Sequence, residues 1–141
     1  MYISEVGIQL SYADTDMMGV IYHGNYVKWL ELGRTQLIED AGYSYLEMEK
    51  AGCYAPVHHL DITYKHAVRL GDQITVQTWV EENHRTKTIY GFSIVNQEEK
   101  VCALGSTTHI VVKKENFKPT SFKKAFPEWF QKYEEIKKST T

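Results

Sequence analysis

Apolar residues recur along this chain with two different periods, and the order in which those periods appear limits the fold more than any single residue does. Val6, Ile8, Leu10 and Tyr12 alternate with Glu5, Gly7, Gln9 and Ser11, the period of two that marks a half-buried strand. Between Tyr26 and Ala41 the interval lengthens. Val27, Leu30, Leu37, Ile38 and Ala41, with Trp29 and Leu32 beside them, predict a helix that is apolar over a wide arc and ends near Gly42. Residues 44–52 fit a short second helix closed by Gly52. Period two then returns. A strand begins around Tyr54, where Pro56 marks a strand start or an edge because proline cannot donate to a ladder. "LGD" at 70–72 is a turn, and "QITVQTWV" sets Ile74, Val76, Thr78 and Val80 against Gln73, Thr75, Gln77 and Trp79. "EENHRTK" breaks that run, "TIYGFSIV" resumes it, "NQEEK" turns, and "VCALGSTTHIVV" is the last long strand. Such neighbouring runs with short polar connections predict an antiparallel meander. The C-terminal "SFKKAFPEWFQKYEEIKK" regains helical spacing at Phe126, Trp129, Phe130 and Tyr133, with Pro127 placed to start the helix. Five strands and one apolar helix predict a single α+β domain over residues 1–141, its sheet curled around the helix.

A chain of 141 residues holds one core rather than two. Its formal charge of -2, from 16 basic and 18 acidic side chains, gives no electrostatic reason to expect nucleic acid or an anionic membrane as a partner. Cys53 and Cys102 lie far apart and outside any C-x-x-C spacing, so they read as reduced, buried, small apolar residues. The N-terminus lacks a basic region followed by an apolar run, and no stretch of about 18 apolar residues occurs. The expectation is a cytoplasmic protein without stable membrane insertion.

The change of period falls on "YADTDMMGVIYHGNY", residues 12–26. In an extended chain Asp14 and Asp16 point the same way, and paired carboxylates can raise each other's pKa. Alternatively, Asp14 accepts backbone N–H bonds and only organises the turn. Asp16 lies within seven residues of a helix start expected near His23 to Asn25. The first turn of a helix carries unpaired N–H groups and a partial positive charge. Aimed at a carbonyl oxygen, such donors form an oxyanion hole, each contributing about 3 to 4 kcal/mol in the transition state. A carboxylate on one side of an acyl carbon with amides on the other is sufficient for acyl transfer to water. Gly19 and Gly24 supply either close approach to a ligand or plain turns.

Tyr12, Asp14, Asp16, Gly19, Ile21, His23, Asn25 and Tyr26 in this run resemble the signature of the hot dog fold acyl-CoA thioesterases, nearest to the 4-hydroxybenzoyl-CoA thioesterase group and its Tol-Pal-associated relatives. The family pattern is aromatic-x-D-x-D-x-x-G-x-V-x-[YH]-x-N-Y, met at every fixed place except the valine, where Ile21 stands. Element order and length agree with the family over roughly residues 3–135. The resemblance implies the hot dog fold and a catalytic carboxylate at Asp16, as nucleophile or general base. It also implies a carbonyl-polarising amide at His23, whose ring assists, and an aromatic catalytic-site position at Tyr12. Gly24 and Asn25 then stand at the substrate-binding helix start. No cofactor is implied beyond the CoA of the substrate. Hot dog proteins pair as dimers with sites at the interface, often as tetramers, so a homodimer or homotetramer is expected; an open edge strand points the same way.

A thioester carbonyl is electrophilic enough to need neither a metal nor a full nucleophilic triad. No G-x-S-x-G elbow occurs, and neither cysteine has the context of a catalytic thiol. On a strand His59 and Asp61 share one face while His58 takes the other, which leaves too few ligands for a metal. "VHHLDITY" instead lines or borders the substrate channel, where His58 or His59 meets the acyl group or stays structural, with His59 the chosen binding residue. Glu31 and Arg34, three apart on the helix, make an ion pair, or Glu31 serves as a second carboxylate. Phosphates of CoA need cations. His84, Arg85 and Lys87 stand in one hairpin, and Lys65, His66 and Arg69 follow the second strand. In similar enzymes that hairpin meets the nucleotide, so Arg85 and Lys87 are the chosen contacts. Two other functions keep the same core: hydrolysis of acyl groups from acyl carrier protein, and acyl-CoA binding without catalysis.

Overall fold

The computed structural model describes residues 1–139. Its strands are β1 (Ser4–Ile8), β2 (Cys53–Tyr54), β3 (Val57–Tyr64), β4 (Ile74–Asn83), β5 (Lys87–Val95), β6 (Val101–Ile110) and β7 (Val112–Lys113). The helices are α1 (Asn25–Asp40), α2 (Tyr45–Lys50), α3 (Phe122–Ala125) and α4 (Pro127–Ile136), with a 3-10 turn at Tyr12–Asp14. Alternation along β4 is as the sequence predicts: Ile74, Val76, Thr78 and Val80 are buried on the face turned to α1. Helix and sheet approach so closely that a Cβ on Gly33 would lie 2.4 Å from Thr78 Oγ1 and 2.7 Å from Val76 Cγ1. Only glycine fits there. The result is an α+β fold in which a five-stranded antiparallel sheet packs around α1.

Strand order departs from a simple meander. It is β1-β4-β5-β6-β3, so only β4, β5 and β6 follow one another as neighbours. Instead of pairing with β4, β3 crosses to the far side of β6, with Tyr64 opposite Ala103 and Val57 opposite His109. Residues 65–73 carry the chain across. Thus β3 is an edge strand, as Pro56 just before it suggests, and β1 closes the other edge against β4.

Three further boundaries, and the buried face of α1, differ from the sequence reading. Strand β1 stops at Ile8, and the Ser11 side chain caps the 3-10 turn, which carries Tyr12 out into solvent. Strand β4 runs on to Asn83 through a bulge between Val80 and Glu82, where β5 still offers partners. The last long strand ends at Ile110, and Val112–Lys113 bends away to pair with β2. On α1 the buried stripe is Tyr26, Trp29, Leu30, Gly33, Arg34, Leu37 and Ile38. Val27 and Leu32 face outward, because close packing at Gly33 fixes the rotation of the helix. At the C-terminus α4 starts at Pro127 and buries Trp129, Phe130 and Tyr133. Both cysteines are free and buried.

Candidate active site

Local hydrogen bonding turns residues 11–25 into two successive loops, and each aspartate belongs to one of them. Asp14 closes a capping box: its Oδ2 accepts the Ser11 N–H at 3.0 Å while the Ser11 hydroxyl caps the 3-10 turn. Its carbonyl accepts the Tyr22 N–H at 2.8 Å and the Asn25 side-chain amide at 3.1 Å. Asn25 thereby ties the start of α1 to the end of the first loop. The second loop begins where Thr15 bridges to Ile21. Within it the Asp16 N–H donates to the Val20 carbonyl at 2.8 Å, and Gly19 takes φ +79, a left-handed conformation that favours glycine. Asp16 Oδ1 accepts the Met18 N–H at 2.8 Å and the Val20 N–H at 3.4 Å. The two carboxylates therefore serve separate turns instead of sharing one face of an extended strand. Asp14 is the turn builder, whereas Asp16 is anchored by one oxygen and keeps Oδ2 without a partner among the described residues.

Helix α1 begins at Asn25 with Gly24 at its N-cap and no side chain closing that end. A serine, threonine or aspartate at the cap would accept the Tyr26 or Val27 N–H, one turn inside the helix. Here the N–H groups of His23 and Gly24 donate to nothing among the described residues. A Cβ on Gly24 would fall 2.5 Å from the ring of half-exposed Tyr22, so a larger residue at the cap would have to displace that ring. Asp16, His23, Tyr26, Tyr64, Lys65 and His66 line a cleft of about 330 Å³ beside this helix end. A carboxylate with a free oxygen and a helix end with free amides thus stand at one opening. That pairing can activate water, or attack an acyl carbon, while holding the acyl oxygen.

Other candidates from the sequence lie elsewhere. Tyr12 is 81% exposed on the 3-10 turn and does not line the cleft. His59 projects from β3 on the face opposite half-buried Leu60 and Ile62, with Nε2 3.7 Å from Asp61 Oδ2. Arg85 and Lys87 sit at the far end of the sheet, since Lys87 pairs with Ile110 while Tyr64 pairs with Ala103. The Arg85 carbonyl accepts the N–H groups of Phe122 and Lys123, and Lys113 pairs with Lys118, so that end also gathers these lysines. Among the described residues no group of three or more His, Cys, Asp and Glu side chains is placed to hold a metal ion. No helix among them is long and apolar enough to cross a membrane.

Two features escape a reading of the sequence. Tyr64 reaches the cleft from the last position of β3, and its hydroxyl donates to the His23 carbonyl at 3.0 Å. Its place on the same face as Leu60 and Ile62 was the available signal. The second is a buried polar cluster midway along α1. Arg34, 6% exposed, pairs with Glu31, donates to the Tyr45 hydroxyl and lies 2.8 Å from His109 Nδ1. Burial first, and then the Arg34 charge, push His109 down to about 4, against a smaller opposing effect of the Ala55 carbonyl. His109 is consequently neutral near pH 7. Nδ1 faces both Arg34, which can only donate, and the Ala55 carbonyl at 2.9 Å, which can only accept, while Nε2 lies 3.1 Å from Thr107 Oγ1. Arg34 and Tyr45 border a cavity of about 530 Å³ together with Cys53, Tyr54, Pro56 and Phe117. Glu31 is committed to Arg34, not to the cleft.

Residues 10–130 match the model of the thioesterase-like superfamily. "Putative acyl-CoA thioesterase YneP" of Bacillus subtilis (strain 168) is 44% identical over 98% of this chain and 100% of its own length. "Acyl-CoA thioester hydrolase YbgC" of Escherichia coli O6:H1 is 25% identical over 84% of this chain and 88% of its own. The crystal structure of a DHNA-CoA thioesterase from Staphylococcus aureus superposes with a TM-score of 0.92 at 39% identity, covering 96% of this chain and 91% of that one.

Proposed function

The chain belongs to the thioesterase-like superfamily, and on that premise we propose that Asp16 and the first amides of α1 carry out its hydrolysis of an acyl-CoA thioester. In kind it is an acyl-CoA thioester hydrolase with a hot dog fold. The observation that carries the residue assignment is the cleft where an anchored carboxylate meets unpaired helix amides. The acyl oxygen lies against the N–H groups of His23 and Gly24, which stabilise negative charge as it develops. Asp16 Oδ2 either attacks the acyl carbon, expelling the CoA thiolate and leaving a mixed anhydride for water to open, or takes a proton from the attacking water. Single turnover in ¹⁸O-water reports the anhydride route where water opens it at Asp16 Cγ, because label then enters the Asp16 carboxylate and the released acid stays unlabelled. DHNA-CoA is the first acyl-CoA to try, on the likeness to the Staphylococcus aureus enzyme.

Two copies complete the site. Strand β3 is the exposed edge, and antiparallel pairing with the same strand of a second copy sets the Tyr64 end of one beside the Val57 end of the other. Arg85, Lys87 and the lysines near them then approach the partner's cleft, where Lys65 and His66 already stand, and meet the phosphates of CoA. We place the resulting homodimer, or a tetramer of two, in the cytoplasm. Tyr12 and His59 keep supporting places, at the loop and on the outer sheet face.

Hydrolysis of a panel of acyl-CoA thioesters, followed by free thiol, tests the reading with Asp16→Asn as control. Loss of turnover in the variant supports it; equal turnover overturns the assignment of Asp16. A salt-dependent KM that Arg85→Ala abolishes supports the phosphate contact. The same basic end favours a second donor, acyl carrier protein, which a comparison of both thioesters of one acyl group decides. Tight binding without turnover on every acyl-CoA would instead make the protein a sensor.

A further inference from the structure

Tyr64 ends β3, on the strand face that Leu60 and Ile62 turn inward. Its ring meets Tyr26 edge-on, centroids 4.9 Å apart, and approaches His23 at 6.1 Å. Packed this way, its hydroxyl reaches the His23 carbonyl at 3.0 Å. That carbonyl also accepts the Tyr26 N–H at 3.2 Å, so it is held from two sides. The C=O of His23 and the N–H of Gly24 are opposite ends of one planar trans peptide unit. Fixing the first fixes the direction of the second. A hydrogen bond donated to the carbonyl also polarises the unit, which makes its N–H a stronger donor. Gly24 has helical dihedrals, φ -64 and ψ -21, and its N–H has no partner among the described residues. It therefore leaves α1 on the N-terminal side, as helix geometry requires.

We infer that Tyr64 is a positioning residue. Its hydroxyl aims and polarises the His23–Gly24 peptide, so that the Gly24 N–H joins the His23 N–H as a second donor to the thioester oxygen. This deepens the proposed function and rests on it. The role needs no proton transfer by Tyr64, because the phenol stays protonated throughout. Burial raises its pKa further from neutrality, with a smaller push from Tyr22.

Tyr64→Phe removes the hydroxyl and keeps the ring, on a residue nearly half exposed, so the fold is preserved. With the acyl-CoA on which the wild-type protein is most active, kcat should fall about tenfold while KM stays within about twofold. The pH profile of kcat should keep its shape, and the Gly24 amide proton should shift upfield in the ¹H–¹⁵N spectrum. An unchanged kcat, an unmoved Gly24 amide, or loss of an alkaline limb from the pH profile would each overturn the inference. Asp16→Asn run alongside separates the two claims. If it abolishes turnover while Tyr64→Phe leaves kcat unchanged, only the role of Tyr64 falls; if it leaves turnover intact, the active-site reading falls and takes this role with it.

Discussion

Helix α1 carries two polar groupings with opposite physics. At its N-terminus the His23 amide and one Asp16 oxygen are left without partners beside an open cleft, and the neighbouring Gly24 amide is also unpaired among the described residues. About three turns further on, Arg34 is buried with both terminal nitrogens paired, to Glu31, Tyr45 and His109, while its Nε has no partner among the described residues, and Trp29, Leu30, Leu37 and Ile38 around it belong to the core. Unsatisfied groups in contact with water cost little and remain available to a ligand. A buried charge left without partners would cost several kcal/mol, so there Glu31, Tyr45 and His109 gather on the guanidinium. Residues of similar chemistry on one helix thus divide into a part that reacts and a part that holds.

That contrast can be broken at four places. Asp16→Asn should lower kcat by about a thousandfold, within the range of a lost general base, while the unfolding midpoint in urea barely moves. Arg34→Met should do the reverse. Removing the centre of a buried cluster costs about 3 kcal/mol, read as a lower urea midpoint at an unchanged slope. The pH dependence of stability comes next. His109 binds its proton at about 4 when folded and near 6.5 when unfolded, so between those values the unfolded chain holds the extra proton. Its contribution is therefore complete above pH 6.5 and is lost as the pH falls to 4, by about 3 kcal/mol at most. Urea titrations at pH 7.5 and 4.5 should show that loss, and His109→Gln should flatten it. The smallest effect is at Gly19, where a Cβ meets nothing within 4 Å and only the left-handed backbone resists. Gly19→Ala should cost about 1 kcal/mol in thermal unfolding, with a larger proportional loss of kcat because the loop holds Asp16.

Much of this was legible from periodicity. The alternation in β4 and the helical spacing of α1 give the helix-and-sheet core directly, since both periods follow from where side chains point. The position of β3 was not legible, because adjacency in sequence says nothing about which edge a strand takes once a nine-residue connection can carry it across the sheet. For the same reason Arg85 and Lys87 could be named without revealing that they sit far from Asp16 in one chain. The aspartate pair was visible as a pair, but capping by Ser11 and the Gly19 turn, not strand geometry, decide how each is used. Arg34 was hidden by its type. A charged residue on a helix reads as solvated until its buried partners come from Tyr45 and from His109, 75 positions away.

The most direct measurement takes kcat and the urea midpoint together for Asp16→Asn and Arg34→Met, in the same buffer and with the same acyl-CoA. A crossed pattern is predicted: Asp16→Asn keeps its midpoint and loses turnover, while Arg34→Met, assayed where it is still folded, loses stability in much greater proportion than turnover. Asp16→Asn retaining more than a tenth of wild-type kcat, or unfolding as readily as Arg34→Met, would contradict the division between a reactive helix end and a holding helix middle.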